Sequence, residues 1–136
     1  MKIRALVSVG IFAAVFAAPA RAADKPEDLA QSAAESWLKL TDAGDGGAAW
    51  EQGSKVLKAA YTKEAWTRLG DLALASLGKV VSRKLTSRQE PEGAPDGKYM
   101  TIQYETAFQK KSSAVETVTL TLDVDGVWRV MGYVIS

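Results

Sequence analysis

The chain has 136 residues, with 17 Lys and Arg against 16 Asp and Glu, and it has no histidine and no cysteine. The missing cysteines exclude disulfides, thiolate nucleophiles and Cys/His zinc sites, and the missing histidines exclude His-based triads and histidine proton relays. The near-neutral charge gives no electrostatic reason to expect a nucleic-acid partner.

Residues 1–22 have the pattern of a secretory signal peptide. Lys2 and Arg4 form a positive start, residues 5–18 form an apolar run, and the Ala-Arg-Ala before Ala23 fits the small-residue rule for cleavage. The apolar run is shorter than the roughly 20 residues needed to span a bilayer, so cleavage is favoured over a retained membrane anchor. We therefore expect an exported protein, periplasmic or secreted, with no membrane attachment after cleavage.

Cleavage before residue 23 would remove 22 of the 136 residues and leave 114, which we expect to form a single domain over residues 23–136. Three basic residues and no acidic residue leave with the leader, so 14 basic against 16 acidic groups give a net charge of −2. The remaining chain is helical in its first half and strand-rich in its second half. That order predicts an α+β fold, with about three helices on one face of a four-stranded antiparallel sheet.

The first helix is predicted over residues 26–43, with Asp24 as its cap and Gly44 as its end. Its apolar residues repeat at helical spacing, and we expect this stripe to face the core. The stripe consists of Leu29, Ala33, Trp37 and Leu40.

A second, weaker helix is predicted to begin after Asp45 and to be bent or divided at Gly53. A third is predicted to begin after Thr62 and to end at Gly78. Tryptophans on such helices are more typical of a core than of a ligand cage. The apolar stripe of the third helix consists of Trp66, Leu69, Ala73 and Leu77.

The second half of the chain alternates between apolar and polar residues, which predicts β-strands. The strands lie at residues 80–88, 98–108, 114–123 and 127–135. A loop rich in Pro and Gly at residues 89–97 joins the first pair, and a polar hairpin loop at residues 109–113 joins the second.

The last two strands are joined by an Asp-Gly turn that ends at Gly126. A two-residue loop would place Leu122 beside Arg129, whereas a three-residue loop with a left-handed Gly126 aligns Leu122 with Trp128. We favour the second, because it keeps the aliphatic stripe with the tryptophan. On that register an apolar strip lies on the outer face of the sheet, which predicts a partner surface or a homodimer interface. The strip consists of Met131, Tyr133 and Ile135.

Several blocks of sequence, taken together, are characteristic. They are Trp37-Leu38 with Asp42-Ala43-Gly44-Asp45 and Trp50, Leu77-Gly78 with Ser82-Arg83, Pro95-Asp96-Gly97-Lys98-Tyr99, Phe108 with Lys110-Lys111, Val115-Glu116-Thr117-Val118, and Gly126-Val127-Trp128-Arg129-Val130 with Gly132-Tyr133. The chain resembles a small exported bacterial family, domain-of-unknown-function family 4019, over nearly all of residues 23–136.

That family is in turn similar to the nuclear-transport-factor-2-like superfamily. The resemblance implies an N-terminal helical layer packed on a strongly curved sheet, which together form a cone with a pocket. It implies a fold rather than an activity, because the superfamily contains isomerases, dehydratases and cyclases as well as non-catalytic binding and dimerisation modules. Its enzymes often use an Asp/His pair in the cone, and this chain has no histidine.

On this fold Arg83, Tyr104 and Glu116 would line one pocket, with Trp128 on its floor. In a functional interpretation, Arg83 binds an anionic group, and Glu116 or Tyr104 orients a proton or transfers it. In a structural interpretation, Arg83 and Glu116 form an ion pair inside the cone and Tyr104 is hydrogen-bonded. We favour the structural interpretation, because a buried charge generally needs a partner.

Asp42, Asp45 and Asp71 carry the carboxylate oxygens that calcium prefers as ligands, but their spacing matches no calcium loop. Helix caps and surface positions explain them adequately. We therefore predict no metal site and no cofactor.

The sequence predicts an exported, non-catalytic module that binds a small molecule or a protein partner. The alternative is a small isomerase or hydrolase that uses Glu116 with Tyr104 or Arg83. This enzyme would need a solvent-connected pocket with Glu116 at its wall and a raised carboxylate pKa, and a Glu116 clamped by Arg83 in a filled core would contradict it. A third interpretation is an accessory of envelope stress or assembly that has no ligand.

Overall fold

The computed structural model describes residues 25–95 and 98–136. Within them, four helices precede four strands: α1 (Pro26–Asp42), α2 (Gly46–Glu51), α3 (Lys55–Ala60), α4 (Lys63–Leu77), β1 (Val80–Gln89), β2 (Tyr99–Phe108), β3 (Lys111–Leu122) and β4 (Trp128–Ile135). This order confirms the predicted α+β class. The leader predicted at residues 1–22 lies outside the described residues, as do Asp24, Asp96 and Gly97. In the described part of the chain, every helix is too short or too polar to cross a bilayer.

Helix α1 lies against the inner face of the sheet, but it is rotated from the predicted orientation. Leu29, predicted to face the core, is 45% exposed. Trp37 belongs both to the predicted apolar stripe and to a neighbouring stripe that contains Ala30 and Ala34. The helix buries the neighbouring stripe, because its alanines let the backbone approach the sheet closely. The buried residues are Ala30, Ala34, Trp37 and Leu38.

The breaks between the helices follow local sequence signals. Gly44 has a positive φ of 75°, as expected for the residue that ends α1. The predicted caps Asp45 and Thr62 are confirmed, since each side chain accepts a hydrogen bond from the backbone N–H three residues further on. Gly53 divides α2 from α3, and Ser54 caps α3 in the same way.

Of the stripe predicted on α4, only Trp66 packs against the core, and it does so partly buried. No residue of α4 is buried, and Leu69 is 48% exposed. The helix packs instead on α2, where a Cβ on Gly46 would lie 3.0 Å from the Thr67 Cα atom. Because this close approach holds α4 against α2, the apolar face of α4 is left beside the sheet rather than packed on it.

The strands form one antiparallel sheet in the order β1-β2-β3-β4. The turn between β2 and β3 is shorter than the loop predicted at residues 109–113, because Phe108 pairs directly with Lys111. The alternation predicted for β2 is confirmed, and its inner face is wholly buried. That face consists of Met100, Ile102, Tyr104, Thr106 and Phe108.

The predicted turn between β3 and β4 is confirmed. The Asp123 N–H donates to the Val127 carbonyl at 3.0 Å, and Gly126 has a φ of 79°. As a result Leu122 pairs with Trp128.

A β-bulge at Met131 overturns the prediction of an outer apolar strip. Leu120 pairs with Val130, but the next residue of β3, Thr119, pairs with Gly132, so Met131 is an extra residue in β4. An extra residue reverses the faces of the rest of the strand.

Beyond the bulge, Tyr133 pairs with Val118 and Ile135 pairs with Glu116, so both face the interior. The strip of Met131, Tyr133 and Ile135 is therefore not formed on the outer face. The predicted homodimer therefore cannot use this strip as its interface.

Candidate functional site

A cleft of about 280 Å³ lies between α4 and one end of the sheet. Adjacent strands of an antiparallel sheet run in opposite directions, so the start of β1 and the ends of β2 and β4 meet at this end. We call it the α4 cleft. Its lining consists of Thr41, Asp42, Gly44, Gly46, Tyr61, Trp66, Leu69, Gly70, Ala73, Leu74, Leu77, Gly78, Lys79, Val80, Phe108, Tyr133 and Ile135.

Four aromatic rings form a continuous row along the α4 cleft. The ring centroids of Tyr61 and Trp66 are 5.1 Å apart, those of Trp66 and Trp37 are 6.1 Å apart, and those of Trp37 and Tyr133 are 5.2 Å apart. These tilted and edge-on contacts are the arrangements that aromatic pairs prefer. Trp37 supports the row from the core, and the other three rings line the cleft. The row therefore gives the α4 cleft a wall in which the rings fix one another's orientation.

Glu116 lies behind this wall, with no solvent exposure. The Arg83 guanidinium donates to both of its oxygens, at 2.7 Å from Nε and 3.1 Å from Nη2. The Thr106 hydroxyl donates to Oε1 at 2.5 Å, and the Tyr133 hydroxyl donates to Oε2. The four donor atoms belong to side chains on β1, β2 and β4, and Glu116 itself lies on β3. The Glu116 carboxylate therefore connects all four strands.

Arg83 also binds a second carboxylate, that of Asp42. Its Nη1 and Nη2 atoms donate to the two Asp42 oxygens at 2.8 and 2.9 Å. The Asp42 side chain is 33% exposed and lines the α4 cleft, whereas the Glu116 side chain is fully buried. A carboxylate at the last residue of α1 is opposed by the helix dipole. The guanidinium offsets this cost and ties the end of α1 to the sheet.

The environment keeps Glu116 ionised. Burial acts to raise the pKa of Glu116, but the hydrogen bonds from Arg83, Thr106 and Tyr133 outweigh burial and hold this pKa below its usual value. Burial and the neighbouring Glu116 charge raise the pKa of Tyr133, so Tyr133 keeps its proton and acts as a donor. A general base would need a raised pKa and a free lone pair facing a substrate. Glu116 has neither, which contradicts the premise of the enzyme interpretation.

The four predicted ligand-binding residues do not line the α4 cleft. Arg83 and Glu116 form the ion pair of the structural interpretation. Tyr104 is not hydrogen-bonded as expected, since its buried hydroxyl has no partner among the described residues, and burial raises the pKa of Tyr104. Trp128 is 6% exposed and packs in the core.

Sequence reasoning missed two residues of the site. Asp42 was assigned to a cap or to the surface, and an acidic residue at the end of a helix carries no signal for any other role. Tyr133 was placed on the outer face. Gly132 was a usable signal, because a glycine inside a strand often marks a bulge. In the described part of the chain, no three acidic side chains are grouped to hold a metal ion.

Acidification is expected to destabilise the fold through Glu116. Because the folded-state pKa lies below the reference value of 4.5, the contribution of this carboxylate is complete above that value and is lost as the pH falls through the folded-state pKa. Urea unfolding between about pH 7 and pH 3 should show a falling free energy of unfolding below about 4.5, and Glu116→Gln should flatten this dependence. An equally steep fall in the variant would assign the acid sensitivity to other carboxylates.

Comparisons with known proteins agree with this fold. No curated protein matches the sequence. A crystal structure of a candidate ketosteroid isomerase from Shewanella frigidimarina NCIMB 400 is similar with a TM-score of 0.53 and 14% sequence identity, over 83% of this chain and 96% of that chain. An identity this low shows a shared fold alone. Residues 33–133 match the family described as protein of unknown function (DUF4019). The chain thus belongs to the DUF4019 family, and it shares its α+β fold with the Shewanella protein.

Proposed function

We propose that this protein is an exported, non-catalytic module that binds a small apolar ligand in the α4 cleft. One observation carries the proposal: α4 turns an apolar face toward an open cleft, and none of its residues is buried. Apolar surface left in water costs about 25 cal/mol per Å². A bound ligand would remove that cost, and the rigid aromatic row would receive the ligand with little rearrangement.

The volume of the α4 cleft limits the ligand. At about 280 Å³, it is roughly twice the 150 Å³ of an engineered cavity that accepts benzene, and it lies near the lower end of ligand pockets at about 300 Å³. A molecule with one or two rings, or with one ring and a short chain, matches this size.

The carboxylates near the α4 cleft support binding rather than isomerisation. A ketosteroid isomerase uses an Asp general base together with acidic hydrogen-bond donors. Both oxygens of Asp42 accept from Arg83, and Glu116 is buried behind Tyr133 with four donors of its own. Glu116 has no acceptor position left, and Asp42 is already an ion-pair partner of Arg83. The proposal therefore gives Asp42 the role of holding a ligand rather than of removing a proton from it.

A neutral fluorescent probe with two fused rings, the naphthylamine Prodan, is expected to bind the wild-type chain with a stoichiometry of one. Leu69→Asp should weaken this binding by about tenfold or more, because it places a charge in the apolar lining. Leu72→Asp is the matched control, since Leu72 is on the same helix and 59% exposed but does not line the cleft. Fluorescence titration checks the expectation.

Both leucines are about half exposed, so the two variants should unfold at similar temperatures and remain comparable. Unsaturable probe fluorescence with the wild-type chain, or an equal loss of binding in the two variants, would contradict the proposed function.

A further inference from the structure

We infer that the ligand of the α4 cleft has an apolar body and a positively charged amine, and that the amine lies at Asp42. This inference rests on the proposed function and specifies the chemical class of the ligand. It follows from the charge of one group of side chains, the free acceptor positions of Asp42 and the aromatic lining.

The group formed by Arg83, Asp42 and Glu116 carries an uncompensated negative charge. One guanidinium is shared between two carboxylates, which leaves a net charge of −1. Hydrogen bonds keep Glu116 ionised, and those from Arg83 to Asp42 and Glu116 outweigh burial and raise the pKa of Arg83, so Glu116 and Arg83 both stay charged near neutral pH. A buried or half-buried charge of this kind attracts a counter-charge.

Only one of the two carboxylates can receive that counter-charge. Glu116 is fully buried, and its donors all come from the fold. Asp42 lines the α4 cleft with its side chain 33% exposed, and each of its oxygens accepts a single hydrogen bond from Arg83. A carboxylate oxygen can accept two hydrogen bonds. Asp42 therefore has acceptor positions left for an N–H donor that arrives through the cleft.

The surroundings of Asp42 also favour a cation. Asp42 is the last residue of α1, where the carbonyl end of the helix dipole is negative. The aromatic rings of the lining attract a cation to their faces, which contributes about 0.5–2 kcal/mol in other proteins. Those rings belong to Tyr61, Trp66, Phe108 and Tyr133.

One residue of the lining opposes this preference. Lys79 stands just before β1 and would attract a carboxylate. Lys79 is exposed, so water and salt screen its charge. The Arg83 side chain is 17% exposed and the Glu116 side chain is fully buried, so the charges that fix Asp42 in place are screened less, although the Asp42 side chain itself is 33% exposed. The half-buried negative group therefore dominates over the exposed lysine.

Three compounds of equal length test the charge preference: phenylbutylamine, phenylbutanol and phenylbutanoate. Calorimetric titration of the wild-type chain near neutral pH should give the tightest binding for the amine, by about tenfold over the alcohol, with the carboxylate weakest. Asp42→Asn should remove the advantage of the amine and leave alcohol binding within about twofold. Lys79→Gln should keep the amine ahead of the alcohol.

The possible outcomes distinguish a failure of the amine preference from a failure of the proposed binding function. Equal affinities for amine and alcohol, or tightest binding of the carboxylate, would overturn the inference while the α4 cleft stays a binding site. Failure of all three compounds and of the neutral naphthylamine to bind would contradict the proposed function and the inference together. The wild-type comparison needs no variant, so poor folding of Asp42→Asn cannot hide the answer.

Discussion

Replacement of Glu116 by alanine is expected to lower the free energy of unfolding by about 3–5 kcal/mol. Glu116 is the shared acceptor for Arg83, Thr106 and Tyr133, and it is fully buried. Without it, the buried Thr106 hydroxyl and the part-buried Tyr133 hydroxyl lose their acceptor, at a cost of up to about 1–3 kcal/mol for each unsatisfied group. Arg83 would still form its ion pair with Asp42 but would lose its ion pair with Glu116 on β3.

Urea unfolding at neutral pH measures this loss, and Asp28→Ala is the matched control. Asp28 also pairs with an arginine, Arg88, at 2.6 Å, but its side chain is 49% exposed. Exposed pairs contribute at most about 1 kcal/mol, so the control should lose far less stability than Glu116→Ala. Similar losses in the two variants would show that Glu116 does not join the strands as the contacts indicate.

Replacement of Trp37 by alanine should also lower the free energy of unfolding, by about 3–5 kcal/mol. Trp37 is 3% exposed, contacts Trp66 and Tyr133, and donates from Nε1 to the Ala49 carbonyl at 2.8 Å. The substitution leaves a void in the core and an unsatisfied carbonyl. It also removes the ring that connects the α4 cleft to the core, so the neutral naphthylamine should bind more weakly as well.

Trp50→Ala is the matched control for this prediction. Trp50 makes the same kind of hydrogen bond, from Nε1 to the Tyr61 carbonyl at 2.8 Å, but it is only partly buried. Its loss should be nearer to about 1–2 kcal/mol, in proportion to the smaller area it buries. Equal losses for the two tryptophans in urea unfolding would contradict the core position of Trp37.

The α4 cleft does not lie where the sequence resemblance places a pocket. The resemblance implied a pocket inside the cone, and a Glu on the concave side suggested a catalytic centre there. In this chain the space between α1 and the sheet is packed with Trp37, Tyr104 and their apolar neighbours, and Glu116 belongs to an ion-pair network. A cleft of about 280 Å³ lies instead at the end of the sheet, beside α4. A shared cone therefore does not imply a shared site.

The candidate site was only partly predictable. The pairing of Arg83 with Glu116 followed from two charges on one inner face, since buried charges need partners. Asp42 and Tyr133 did not follow. Asp42 reaches Arg83 across 41 positions of sequence, and Tyr133 reaches Glu116 only because a bulge turns it inward.

The features that local chemistry determines were read correctly from the chain. Asp45 and Thr62 cap helices through N–H groups three residues away, and Gly126 allows a turn that closes between Asp123 and Val127. These caps and turns depend on hydrogen bonds between residues a few positions apart, so tertiary contacts do not change them. The α+β class followed in the same way, from the order of local patterns.

Contacts between distant segments decided the remainder. Unbroken alternation along β4 predicts Met131, Tyr133 and Ile135 on the outer face, but the pairing with β3 inserts one extra residue at Met131 and exchanges the two faces beyond it. The apolar stripe of α4 was assigned to the core, yet close packing on α2 left it beside a cleft. Apolar periodicity records that a face avoids water, but not what covers it. That ambiguity is why the tertiary structure alone revealed the α4 cleft.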